Sequence, residues 1–357
     1  MILAAGYFVT GRRTRPVVCY AMRKTAYLAC ILAAWPCFAY AGSLEQLEGG
    51  AAGSISGVQV RIPAGPADVS GYNAAVSEFE AYRDSKRAGI RNTDNLPFLL
   101  VHGARTLRTV VMIHGLADSP WYMRELGEIL YQQGYNVVSI LLPGHGTKPE
   151  DLLAVTQQQW RQEVDRGLGI AAGLGERISL AGFSAGGSLA LDALRRHPEL
   201  KAEKLFLFSP ALAMNEENQV LVSLGCQAPQ LIIKLKGQYD KDAVEDDPHS
   251  YNKKAVNSVC QLYAVMNANT RWRGKILESI RSAGTAVFAV ESSADRTVSP
   301  VAVTDFIASL PDSADRAYVW YPPAEGIAHA DVPRPETNPR FGELRRKLKD
   351  FTAADRS

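Results

Sequence analysis

Residues 177–187 read Arg177-Ile178-Ser179-Leu180-Ala181-Gly182-Phe183-Ser184-Ala185-Gly186-Gly187, and Ser188–Arg196 continues with helical character. The first half is an apolar run of strand type. The second half is a turn with a serine at its apex and very small residues around it. Gly-x-Ser-x-Gly alone is a weak signal. Its setting strengthens it, because it leaves a strand directly and opens a helix directly, the strand–turn–helix context the motif needs. A serine at such a turn has a strained backbone, so its neighbours must be small, and Gly182, Ala185, Gly186 and Gly187 meet that demand. The N-terminus of the following helix favours negative charge nearby.

Outward from this turn the chain alternates. Strands are predicted at Pro97–Val101, Thr109–Ile113, Asn136–Leu142, Arg177–Ala181, Lys204–Ser209, Thr285–Val290 and Ala317–Tyr321. Helical spacing is predicted for 73–88, Trp121–Gln133, 157–173 and Ser188–Arg196, the last stopped near Pro198. Strand and helix in alternation predict an α/β fold, a mostly parallel β-sheet with helices on both faces. The strands are near-continuous apolar runs, as expected where both faces are covered. Residues 213–281 break the rhythm with an acidic patch (Asp240, Asp242, Glu245, Asp246, Asp247) and a helix predicted near 250–267. They are expected to form a cap or lid over the sheet's C-terminal edge; the rival reading is a long connection that packs on the sheet and gates nothing.

A serine hydroxyl is a poor nucleophile without a base. In this setting the partners follow in the order Ser, acid, His. Of six histidines, His102, His114 and His145 precede Ser184, His197 ends the helix that Ser184 opens, and His249 lies in the insertion. His329 follows the last strand, in a loop that can reach back to Ser184. The acid belongs in the loop after the preceding strand, where Asp295 stands a few residues past the strand end. There it can accept the imidazole N–H and fix its tautomer. Glu291 competes but abuts the strand. A developing oxyanion needs backbone donors, for which Ala185, just after the serine, and Leu116, in the loop after Ile113, are the candidates. His114 is expected to hold that loop by hydrogen bonds, and His145, in Pro143-Gly144-His145-Gly146, to serve structurally.

His114-Gly115 after an apolar strand, Pro143-Gly144-His145-Gly146 some thirty residues on, and Gly182-Phe183-Ser184-Ala185-Gly186 beyond resemble the carboxylesterase and monoacylglycerol-lipase-like branch of the α/β-hydrolases. The likeness covers about residues 95–350. It implies the α/β-hydrolase fold with an inserted cap, and hydrolysis of a small-molecule ester or lipid through an acyl-enzyme. It also implies no cofactor and no metal. The chain departs from that branch in carrying Phe183 where a histidine is common. Acyl transfer or peptide hydrolysis with the same triad, or a non-catalytic binding role, are the rival expectations.

At 46% hydrophobic and 21% charged residues, the composition is that of an ordinary globular chain. The first forty residues differ. Five basic residues and no acidic one precede an apolar stretch, Ala26–Ala41, that closes with Ala39-Tyr40-Ala41. This predicts a secretory signal over 1–41, with Met1 or Met22 as its start. Its removal leaves 34 basic against 37 acidic residues, so a nucleic-acid partner is not expected. The domain reading is a signal at 1–41, an N-terminal extension at 42–94 with a strand at Val58–Ile62, and the hydrolase domain at 95–357. Export to the periplasm or medium, transient contact with a lipid surface, and a disulfide between Cys226 and Cys260 complete the expectations.

Overall fold

The computed structural model describes residues 69–215, 222, 226, 238–240 and 247–353. The predicted signal, the strand at Val58–Ile62 and much of the 213–281 insertion lie outside the described residues. The strands are β1 (Phe98–Leu100), β2 (Thr106–Ile113), β3 (Tyr135–Ile140), β4 (Gly175–Phe183), β5 (Lys204–Phe208), β6 (Gln238–Asp240), β7 (Lys253–Ala255), β8 (Ala286–Ser292) and β9 (Arg316–Tyr321). The helices are α1 (Val69–Ser85), α2 (Arg124–Gln132), α3 (Gln157–Leu174), α4 (Ala185–Arg196), α5 (Val256–Arg271), α6 (Arg273–Ala283), α7 (Pro300–Ala308) and α8 (Phe341–Ala353).

Seven strands form one sheet in the order β1-β3-β2-β4-β5-β8-β9, and β6 pairs with β7 separately. β1 is antiparallel to β3, and the other pairings of the large sheet are parallel. The α/β expectation therefore holds. Because side chains alternate across a strand, each strand feeds two cores. Val110, Met112, Phe206 and Phe288 join α2 and α8 on one face through Leu126, Leu130, Leu344 and Phe351. Val111, Ile113, Leu205 and Val287 join the other helices on the opposite face through Phe79, Trp160, Leu189 and Phe306.

The chain moves from β2 outward to β3, then returns to lay β4 on the other side of β2. The crevice above β2 and β4 is thus a topological switch point, where open α/β sheets place their ligand sites. α3 returns the chain under it, begun by a reciprocal cap in which Thr156 Oγ1 accepts the Gln159 N–H and Gln159 Oε1 accepts the Thr156 N–H.

The described end of the 42–94 extension forms α1, which packs on α3. Phe79 is fully buried, and the Tyr82 hydroxyl accepts the Leu141 N–H at 2.9 Å. Within 213–281, α5 starts and ends later than the predicted helix. α5 and α6 pack on α4, at the flank of the sheet, and the Asn269 side chain donates to Ser188 O at 2.8 Å. Apolar stripes at helical spacing give both helices a face to bury, and α4 supplies the surface.

α3 and α4 are also tied by charge. Asp192 is fully buried and accepts from Arg161, Arg195 and Arg196, while Arg196 reaches on to Asp165. Burial alone would raise the Asp192 carboxyl, but Arg161, Arg196 and Arg195 outweigh it and hold it below its ordinary value. A carboxyl depressed in this way stabilises the fold above its unfolded pKa of about 3.9, and that stabilisation disappears as pH falls through the folded value. Asp192→Asn is predicted to lower stability by roughly 3–5 kcal/mol, since it leaves three guanidiniums without their shared anion. Thermal unfolding at neutral pH checks this, and the gap to wild type should close below about pH 4.

Candidate active site

Ser184 sits between β4 and α4 with φ 52° and ψ −115°, outside the regions open to most residues. Such a conformation costs about 1–3 kcal/mol and needs surroundings that over-determine it. A Cβ on Gly182 would lie 2.3 Å from the Gly186 carbonyl carbon, and one on Gly186 would lie 2.0 Å from Ile113 O. On Gly187 it would strike Pro210 at 2.6 Å. The small residues read from sequence are there because α4 starts pressed against the ends of β2 and β5. Phe208 O accepts the Ser184 N–H at 3.0 Å, and Ser184 O accepts the N–H groups of Gly187 and Ala211 at 3.0 and 2.9 Å.

The structure brings Ser184, His329 and Asp295 into one line. His329 Nε2 lies 2.8 Å from Ser184 Oγ, and His329 Nδ1 lies 2.5 Å from Asp295 Oδ2. Asp295 Oδ1 accepts the N–H groups of Thr297 and Val298 at 2.7 and 3.0 Å. Burial pushes the Asp295 carboxyl up, but His329 and the two amides prevail and hold it low. An anion at Nδ1 makes that nitrogen the donor and frees Nε2 to take a proton from the serine. The His329 loop is pinned from below by Ser292, whose hydroxyl donates to Ile327 O at 2.7 Å. The His329 ring also packs on Phe183, 5.1 Å between centroids.

Leu116 and Ala185 flank this line. Ile113 and Gly182 are register partners, so the loop after β2 runs beside the turn after β4. Gly115 faces the Phe183 ring, and Ala117 adopts φ 66°. Among the described residues no hydrogen bond occupies the N–H of either Leu116 or Ala185. His114 holds the loop as expected. Its Nε2 accepts the Leu142 N–H at 3.1 Å, so Nδ1 carries the proton and donates to Gly115 O at 2.8 Å. His145 is buried against the His114 ring, with Nδ1 3.1 Å from Pro143 O. His102 stacks on Tyr131, His197 pairs with Asp165, and His249 stacks on Trp121.

Sequence reasoning missed the supporting roles of Ser292 and Phe183, since neither loop pinning nor ring packing leaves a spacing signal. Glu291, the rival acid by sequence, is buried; it does not take the imidazole and accepts instead from Ser209 and the Ser292 amide. The sulfurs of Cys226 and Cys260 lie at bonding distance, with Cα atoms 5.2 Å apart. Among the described residues no cluster of His, Cys, Asp or Glu could hold a metal ion, and no helix is long and apolar enough to cross a membrane.

Residues 104–329, well over half of the chain, match the Hydrolase_4 family, described as serine aminopeptidase, S33. The chain belongs to this family. This Hydrolase_4 member is 35% identical over 91 residues to a thermostable monoacylglycerol lipase of Bacillus sp. (strain H-257), a match spanning 26% of the chain and 36% of that lipase. It is 25% identical over 190 residues to phospholipase YtpA of Bacillus subtilis (strain 168), spanning 50% of the chain and 69% of that protein. The solved structure of the metagenome-derived lipolytic enzymes LipS and LipT superposes with a TM-score of 0.57 at 18% identity, covering 72% of this chain and 97% of that one. The α/β-hydrolase fold is thereby shown.

Burial lowers His114 to about 4 and His145 to about 3, from 6.5. A histidine depressed on folding releases a proton that the unfolded chain holds. Its stability contribution is whole above pH 6.5 and is lost as pH falls toward the folded values. We expect the melting temperature to drop between pH 6.5 and 4. Nitrogen-15 NMR should show His114 as the neutral Nδ1–H tautomer down to about pH 4.

Proposed function

We propose that the chain hydrolyses carboxylic esters, with Ser184 as nucleophile, His329 as general base and acid, and Asp295 as the group that orients and charges the imidazole partner. The observation that carries this is the unbroken line Ser184 Oγ, His329 Nε2, His329 Nδ1, Asp295 Oδ2 at 2.8 and 2.5 Å. His329 takes the serine proton as Oγ attacks the acyl carbonyl. The Leu116 and Ala185 amides receive the oxyanion, helped by the N-terminus of α4. His329 then returns the proton to the leaving alcohol. Water, deprotonated by the same base, releases the acid. No step calls for a cofactor.

Two relatives named as a monoacylglycerol lipase and a phospholipase support an ester or lipid substrate over a peptide. The family description keeps aminopeptidase activity as the reading to be tested against it. Hydrolysis of p-nitrophenyl esters of rising chain length by wild type and by Ser184→Ala separates them. Activity on esters that falls by roughly 10⁴-fold or more in Ser184→Ala is expected. Ester inertness with cleavage of aminoacyl amides would replace the proposal with the peptidase reading.

The basic, then apolar leader supports export, after which Cys226 and Cys260 would be oxidised. Their sequence separation is 34, and closing such a loop contributes about 4 kcal/mol in the chain-entropy model. The mature protein should therefore lack free thiols under denaturing conditions, and Cys226→Ser should lower the melting temperature by about 6 °C. Two titratable thiols in protein from the exported fraction would contradict the assignment.

A further inference from the structure

Glu291 is the penultimate residue of β8, four residues before Asp295, and is completely buried. Its Oε1 already accepts two hydrogen bonds, from the Ser292 N–H at 2.8 Å and the Ser209 hydroxyl at 3.2 Å. Its Oε2 is buried, and among the described residues no donor reaches it. Ser209 delivers its hydroxyl from a backbone at φ 38°, a strained value for a residue with a side chain. The Asp295 carboxylate lies within hydrogen-bonding reach of the Glu291 side chain. From β9, Trp320 is the register partner of Glu291, and the Tyr318 hydroxyl lies within electrostatic range of it. None of these polar neighbours is a cation.

Two facing carboxylates, both out of water and without a cation between them, cannot both be ionised at ordinary pH. An oxygen with no donor beside a carboxylate is satisfied if it carries the proton itself. Resting on the proposed triad, we propose that Glu291 is a neutral acid whose Oε2–H donates to Asp295, a positioning residue beneath the catalytic line. Asp295 keeps the charge because two amides and His329 favour its anion, whereas burial and the Asp295 charge both raise Glu291. The pair then presents one negative charge to the imidazole and not two. The added donor also fixes the carboxylate plane that His329 reads.

Infrared difference spectra of wild type against E291Q at neutral pH, with carbon-13 glutamate, read the proton directly. The carbonyl stretch of a protonated acid should be present in wild type and missing in E291Q. Carboxylate bands in its place would overturn the assignment. Unfolding gives an independent reading. Folded Glu291 holds a proton that the unfolded chain releases above about pH 4.3, so E291Q should gain on wild type as pH rises from there. A gap in melting temperature that stays constant with pH would also overturn it. Should E291Q fail to fold, the wild-type spectrum with labelled glutamate decides alone.

In turnover, E291L, which removes the donor, should lose roughly tenfold or more in kcat with little change in KM, the size of one hydrogen bond to a charged group. E291Q, which keeps an N–H donor, should recover most of that loss. Equal losses in both would refute the donor role. If no ester is hydrolysed at all, the proposed function fails, while the spectra and melting curves still place the proton.

Discussion

One backbone constraint organises the molecule: Ser184 is held at φ 52° between β4 and an α4 whose first turn is pressed against its neighbours. Gly186 lies against the last carbonyl of β2 and Gly187 against Pro210 after β5, with no room for a single methyl group. The turn therefore sets the spacing of three adjacent strands at their C-terminal ends. The loop after β2 is brought beside Ala185, and the segment after β5 is tied to Ser184 O through the Ala211 N–H. A serine hydroxyl held out from such a turn loses little entropy on reaction, since its position is settled by folding.

Around that turn, burial decides the charge on each side chain. His114 and His145 are forced neutral, and the neutral His114 braces the loop after β2 as both donor and acceptor. Asp295 is equally enclosed but is surrounded by donors, and it stays an anion. Two histidines and one carboxylate in comparable burial thus end in opposite states because their hydrogen-bond partners differ. The charged groups without a catalytic use, Asp192 with its arginines, lie along α3 and α4 away from the turn.

The sheet was legible because its strands alternate between two buried faces and so appear as unbroken apolar runs; Val110–Ile113 and Leu205–Phe208 are examples. Ser184, Asp295 and His329 were legible because the fold ties each to the end of a particular strand, and chain order leaves one histidine in place. Residues 69–85 were harder to place. The periodic Tyr72, Phe79 and Tyr82 show that α1 has an apolar face, but not that α3 is the surface receiving it. Glu291 was visible only as a second carboxylate near the right strand. Which of two acids meets the imidazole depends on a turn of a few residues, and the strained Ser209 that engages the other is not a sequence signal. Phe183 is similar: its departure from the common histidine can be seen, whereas its contact with the His329 ring is a property of the fold.

The most direct test of the central claim is active-site titration with a fluorophosphonate, followed by intact-mass measurement and peptide mapping. One phosphonyl group per chain is expected, on the peptide containing Ser184, with labelling lost when His329 is replaced by alanine. No adduct, or an adduct on any other residue, would contradict it.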